Sequence, residues 1–351
     1  MVRLQLRQDV SPALNIVLPL AAVASTLVLC SVLIKIAGAP VAAAYGVMLS
    51  AAFGDTYAVT ETLVRATPMI FTGLAVAIAF RARFWNIGAE GQLLSGAVLS
   101  CMVGAISMPG ALAIFLMFAA GFAGGAVTAM IPAVLRLKFR VDDVVSSLLL
   151  NSVVLYGLMA LIEGPWKDSL SGYPISPPIE DSANFPVFLE GTRLHLGVLA
   201  AFVAAPVVWF IIARTVLGFK IRATGENPEA ASFAGIGTGR IIFTAALLSG
   251  GLAGLAGVCQ VGGVHYQVMA EISPGYGYSG IVIAMLARLN PLGVVPAALF
   301  LSAVMVGADA MSRATGVPAF IAQVIQGVAL LSMLVALLLT QYRVQFGSAS
   351  A

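Results

Sequence analysis

Charge is scarce in this chain: Lys, Arg, Asp and Glu supply 9% of its 351 residues, where a soluble domain carries about 25%. A soluble protein of this length covers its surface with charge, so the shortage excludes water as the solvent for most of it. Cysteine and histidine are scarcer still, with 3 and 2 residues. Cys30, Cys101 and Cys259 lie apart in apolar runs with no metal-ligand or pairing pattern, and read as small packing residues. Both histidines, His195 and His265, precede Ser279 in the GxSG string Gly277–Gly280. An intramembrane serine protease needs its histidine base in a later helix, so that reading is set aside. The G-x-x-x-x-G-K-[ST] phosphate loop is also missing. No catalytic residue, metal or cofactor is expected, and the chain shows no sign of hydrolysing ATP itself.

Apolar residues are abundant, at 60%. Arg3 and Arg7 precede an apolar run from Asn15 to Ala37, which imitates a signal peptide. The run exceeds the ~7–15 residues of a signal core, so it reads as a retained first helix. Runs of about 20 apolar residues fall near 15–37, 62–80, 88–107, 111–134, 143–163, 194–213, 241–262, 276–289, 292–309 and 318–340. The expected fold is all-α: a polytopic transmembrane helical bundle of about ten spans, forming one domain over 1–351. The eighth and ninth runs are separated only by Asn290-Pro291-Leu292-Gly293, so one of them reads as a half-helix or a re-entrant segment.

Positive charge orients this map. With Arg3 and Arg7 inside, the same side receives Arg81, Arg83, Arg136, Lys138, Arg140, Arg214, Lys220, Arg222, Arg240, Arg288 and Arg343. That bias predicts both termini cytoplasmic. The outer loop 164–193, with Asp168, Glu180, Asp181 and Glu190, reads as a solvated connector; 214–240 is the longest cytoplasmic stretch. Gly121/Gly125 and Gly250/Gly254/Gly257 have the spacing that lets helices approach closely.

Polar residues within apolar runs need partners. Phe84, Trp85, Asn86, Glu90 and Gln92 cluster before the third run, with Asn86 and Glu90 four apart and so on one face if helical. Two readings stand: a broken helix lining a path, or a short cytoplasmic turn with Trp85 as interface anchor. Asn151 and Asn290 are further candidates. In the cytoplasmic loop, Asn227 reads as an N-cap, Pro228 as the first helical residue and Glu229 as a first-turn acid, opening a short helix with small residues outward.

RFWNIGAEGQLLSGA (Arg83–Ala97), RATGENPEAASFAGI (Arg222–Ile236) and LARLNPLGVVPAALF (Leu286–Phe300) resemble motifs of bacterial ABC-transporter permeases. The resemblance is to the branched-chain amino acid/ribose-type superfamily, within it to the nucleoside (purine and pyrimidine) uptake group. It implies a multi-pass permease of the bacterial inner membrane, surrounded by lipid, with no nucleic-acid partner. It also implies a cytoplasmic ATP-binding subunit, a second, shorter permease and an extracytoplasmic substrate-binding lipoprotein. Gly225, Glu226, Asn227, Pro228, Glu229, Ala230 and Ala231 would form the coupling helix to the ATPase. A simple-sugar permease and an ion-coupled secondary transporter are the alternatives. Carboxylates inside the runs are too few to favour the second.

Overall fold

The computed structural model describes residues 2–6, 12–167, 172–316 and 318–346; Arg7 and Asp168, named above, lie outside the described residues. Among the described residues the regular elements are helices apart from one two-stranded pairing, with two isolated β-bridges in the loops. Lipid imposes this architecture, because a helix satisfies its own backbone N–H and C=O groups where water is absent. Among the described residues, seven helices are long and apolar enough to cross a membrane. The chain divides into two compact units, 60–299 and a unit built from both chain ends, 1–59 with 300–351.

The two-ended unit contains β1 (Val2–Leu6), α1 (Pro12–Ile36), α2 (Val41–Phe53), most of α12 (Pro291–Thr315), α13 (Ala319–Gln341) and β2 (Tyr342–Phe346). Strands β1 and β2 pair antiparallel, with Val2 opposite Phe346 and Leu6 opposite Tyr342. Cys30, Ile34, Ala44, Ala308, Met311 and Ile325 form its buried core. Helix α2 has no counterpart among the apolar runs read from sequence; at 13 residues it is shorter than a span.

The central unit holds α3 (Thr56–Arg81, from Thr60 on), α4 (Ala89–Gly104), α5 (Gly110–Phe139), α6 (Asp143–Glu163) and α7 (Leu196–Arg214). It continues with α8 (Val216–Glu226), α9 (Pro228–Phe233), α10 (Thr238–Gln260), a π-helical turn at Val261–His265, and α11 (Tyr276–Leu286). Helices α4, α5 and α10 form its centre along a glycine seam. A Cβ on Gly254 would collide with the Gly121 carbonyl, one on Gly125 with that of Gly250, and one on Gly257 with that of Leu93. The helices therefore touch backbone to backbone, the contact by which helices associate in lipid, where apolar side chains gain nothing by leaving the tails. The glycine spacing read from sequence serves this packing.

The loop 164–193 is not a free connector in its described part. Its backbone N–H groups at Ser176, Ile179 and Phe185 donate to Val268, Tyr266 and Gly262 at 2.9, 2.8 and 2.8 Å. Phe185 is buried and stacks on Phe118 with ring centroids 5.2 Å apart. Arg193 grips Glu61 of α3 with two nitrogens. Apolar Ile179, Ala183 and Phe185, interleaved with the polar residues, are what draw the loop onto the helix ends.

Candidate functional site

The connector between α3 and α4 breaks helical geometry at one residue. Arg83 holds φ at 53°, in the left-handed region, and the Ala82, Arg83 and Phe84 N–H groups turn back to close α3. Helix α4 starts only at Ala89, so Asn86 precedes it and the helical face expected to join Asn86 and Glu90 does not form. Instead Asn86 folds on itself, its Oδ1 accepting from the Gly88 N–H at 3.0 Å. Its amide exchanges two hydrogen bonds with Gln92, at 2.9 and 2.8 Å, and donates to Ser249 Oγ of α10 at 3.0 Å. Phe84, Asn86 and Gln92 are fully buried.

Asn151 of α6 completes the knot. Its Oδ1 accepts from the Gly91 N–H at 2.8 Å, and its Nδ2 donates to the Ile87 carbonyl at 3.0 Å and to the Tyr278 hydroxyl at 3.3 Å. Ser147 Oγ takes the Ile87 N–H at 3.1 Å. The connector is thus tied to α6 and α10 through side chains more than 50 residues away, and Asn151 of α6 is tied in turn to Tyr278 of α11. Such irregular backbone is tolerated at membrane depth only when protein satisfies it.

Glu90 sits where two helix N-termini meet. It opens α4, and its Oε2 accepts from the Gly277 N–H of α11 at 2.7 Å. A Cβ on Gly277 would collide with the Glu90 backbone, so only glycine lets the two ends come this close. The positive ends of both helix dipoles face this carboxylate. Helix α11 has 11 residues, about 16 Å, half the thickness of a bilayer core. Thr72 Oγ1 donates to the Tyr276 carbonyl at 3.0 Å, and Arg81 Nε donates to the Leu289 carbonyl at 2.8 Å. So α11 runs beside only the last part of α3: it is a half-helix that begins midway along a spanning one, as the crowded Asn290-Pro291 break suggested.

Two of the candidate path residues stand apart from the knot. Trp85 is 44% exposed and its ring packs edge-on against Phe80, while its backbone N–H donates to Asp143 Oδ2 at 2.6 Å. Asn290 is exposed and accepts from the Leu292 N–H at 3.2 Å, closing the first turn of α12. Ser249, Ser147, Gly277 and Tyr278 belong to the cluster and were not read as such from sequence.

The segment 214–240 forms two short helices rather than one. Thr215 Oγ1 caps α8 by accepting from Gly218. Asn227 Oδ1 caps α9 by accepting from Glu229 and Ala230 at 3.0 Å each, with Pro228 at the first helical position, as its sequence foretells. Gly225 and Glu226 close α8, and Pro228 to Ala231 lie in α9. Ala231 is buried and Glu229 and Ala230 are exposed. The outward face is not made only of small residues, because Phe233 is 96% exposed. Its signal in the sequence is one aromatic ring ending a run of small residues.

Among the described residues no group of His, Cys, Asp and Glu could hold a metal ion. No solved structure matches the chain. A glucose ABC transporter permease protein, TsgB13 of Haloferax volcanii, is 36% identical over 86% of this chain and 82% of its own length. A guanosine ABC transporter permease protein, NupP of Bacillus subtilis, is 34% identical over 90% and 92%. A nucleoside ABC transporter permease protein, NupB of Lactococcus lactis, is 30% identical over 80% of each chain. Residues 58–339 match the family described as branched-chain amino acid transport system / permease component, and the chain is a member of that family.

Proposed function

We propose that this chain is the membrane-spanning permease subunit of an ATP-driven importer whose substrate is a nucleoside. The observation that carries the reading is family membership over 58–339 together with similarity to permeases named for guanosine and nucleosides. The glucose permease at 36% identity favours a simple sugar as the second reading, since a nucleoside and glucose share a polyhydroxylated sugar ring.

Within this reading the whole chain, 1–351, acts as one permease domain of a bacterial cell membrane, with about ten spans and both termini cytoplasmic. The antiparallel pairing of β1 with β2 supports the last point: chain ends held side by side require an even number of crossings. The seven long apolar helices, together with α1, α4 and the stretch 266–286 that ends in the half-helix α11, make up the ten crossings. ATP is hydrolysed on a separate cytoplasmic subunit. Gly225 to Ala231 couple to it, and exposed Phe233 beside Glu229 gives α9 the relief of a docking element. A second, shorter permease and an extracytoplasmic binding lipoprotein complete the importer.

The substrate path runs by Glu90, Asn86, Gln92 and Asn151. Discontinuous helices whose N-termini converge on one point are how transporters build sites inside lipid, and the α4–α11 meeting point has that form. Labelled nucleosides supplied to cells with and without the gene, with ribose, glucose and amino acids as controls, test the proposal. Loss of nucleoside uptake alone is the expected result. Loss of glucose or ribose uptake instead would transfer the substrate to the sugar class, and no change in any solute would remove the importer reading.

A further inference from the structure

We infer that Arg81 is a positioning residue that passes displacement of the α8–α9 segment onto the half-helix α11. The inference rests on the permease reading above and names the joint that such a machine would use.

Three elements meet at this residue. Arg81 is the last residue of α3, and its backbone carbonyl is the surface on which α8 rests. A Cβ on Gly225 would overlap the Arg81 oxygen and stand 2.9 Å from its carbonyl carbon, so the contact exists because residue 225 has no side chain. The Arg81 side chain reaches the other way, Nε donating to the Leu289 carbonyl at 2.8 Å in the turn between α11 and α12. One residue therefore touches α8 through its main chain and the end of α11 through its side chain.

The parts on either side of the joint are stiff. In α8, Ile221 and Thr224 are fully buried, so the helix is seated rather than afloat. Only Asn227 separates α8 from α9, and its side chain caps α9, so the two short helices move together. On the far side, Arg288 and Leu289 hold φ at 51° and 57°, where a residue other than glycine sits only when its surroundings impose it. Their N–H groups return to Met285 and Ala284 at 2.9 and 2.8 Å, which fixes the turn to the body of α11.

The opposite end of α11 is where the path residues lie. Glu90 holds the Gly277 N–H there and Thr72 holds the Tyr276 carbonyl. With eleven residues, α11 is short enough to tilt as one body. A push on the Leu289 end moves the Tyr276 end against Glu90. The docking element and the point where α4 and α11 meet are in this way joined by a lever whose fulcrum is Arg81.

The test uses the whole importer reconstituted in proteoliposomes, with uptake and ATP hydrolysis measured together. Arg81→Met removes the side-chain tie and Gly225→Ala wedges the backbone contact. Both are expected to cut solute taken up per ATP hydrolysed by about tenfold with the ATPase still copurifying; Arg81→Met should leave Tm little changed, whereas Gly225→Ala should lower it, because its Cβ meets backbone. Arg81→Lys, which keeps a donor, is expected to recover part of the loss. A merely structural contact would change Tm and yield and leave the ratio of uptake to hydrolysis alone. If Gly225→Ala does not fold, Arg81→Met decides. An unchanged ratio overturns the inference, as does failure of both variants to fold. A wild-type chain that captures no ATPase sinks the permease reading itself, before any variant is compared.

Discussion

Helices α3 and α6 are almost equally apolar, with mean hydropathy of 1.8 and 2.0 over a membrane-length window, yet 89% of the first window is buried and only 22% of the second. The difference lies in which residues interrupt the apolar run. Helix α3 carries Thr60, Thr62, Thr67 and Thr72, all buried, and Gly73 beneath Ile283 and Val294. Helix α6 turns Val145, Leu148, Leu149, Val153 and Tyr156 outward. A leucine loses nothing by facing lipid, whereas a hydroxyl seeks a partner and a small residue admits a neighbouring helix. Hydropathy therefore reports which helices cross, and small and polar residues report which way they face.

The comparison can be broken most severely at the glycine seam. Gly254→Leu drives a side chain into the Gly121 carbonyl, overpacking worth at least about 3 kcal/mol, and should abolish monodisperse protein in detergent. Leu149→Ala on α6 deletes a larger group from an exposed face, and should leave yield and Tm within about 0.5 kcal/mol of wild type. If Leu149→Ala proves as damaging, that face is covered by another protein rather than by lipid.

A middle effect is expected from Asn86→Leu, which strands Gln92, Ser249 and the Gly88 N–H in a buried place. The cost is about 1–3 kcal/mol. The protein should still assemble, with lowered Tm and impaired uptake. Unchanged uptake and substrate profile would leave Asn86 a purely architectural residue.

The smallest effect on the fold should come from Asn227→Ala. Losing the cap costs α9 about 1 kcal/mol, but α9 is mostly exposed, so Tm should not move. Amide exchange at Glu229 and Ala230, which Asn227 now holds, should accelerate, and an unaltered exchange rate would mean that packing rather than the cap maintains α9.

The seven membrane-length helices were legible because each is a long apolar run bounded by charge or proline, and α6 starts and ends where its run does. Helix α2 escaped because its 13 residues fall short of a span. Helix α8 escaped because Lys220, Arg222 and Glu226 make it resemble a polar loop. The cap on α9 was legible, being local: Asn227, Pro228 and Glu229 are neighbours in the chain. The knot around Asn86 was legible only in half. Its near members are adjacent in sequence, but Ser249 lies 163 residues away and Asn151 reaches Gly91 across 60. Contacts at such distances depend on how helices face one another, and an apolar run does not encode that.

The unit built from both chain ends also sets a timetable for synthesis. Its first portion ends at Val59 and its second begins at Phe300. A ribosome adding ~5–20 residues per second needs about 10–50 s to cover the interval. Throughout that time α1 lacks α13 and β1 has no strand to pair with. Residues 60–299 are all synthesised before the second portion of the two-ended unit begins. A ribosome stalled late in the message would release a chain whose glycine seam can form while β1, α1 and α2 lack the partners that follow residue 300.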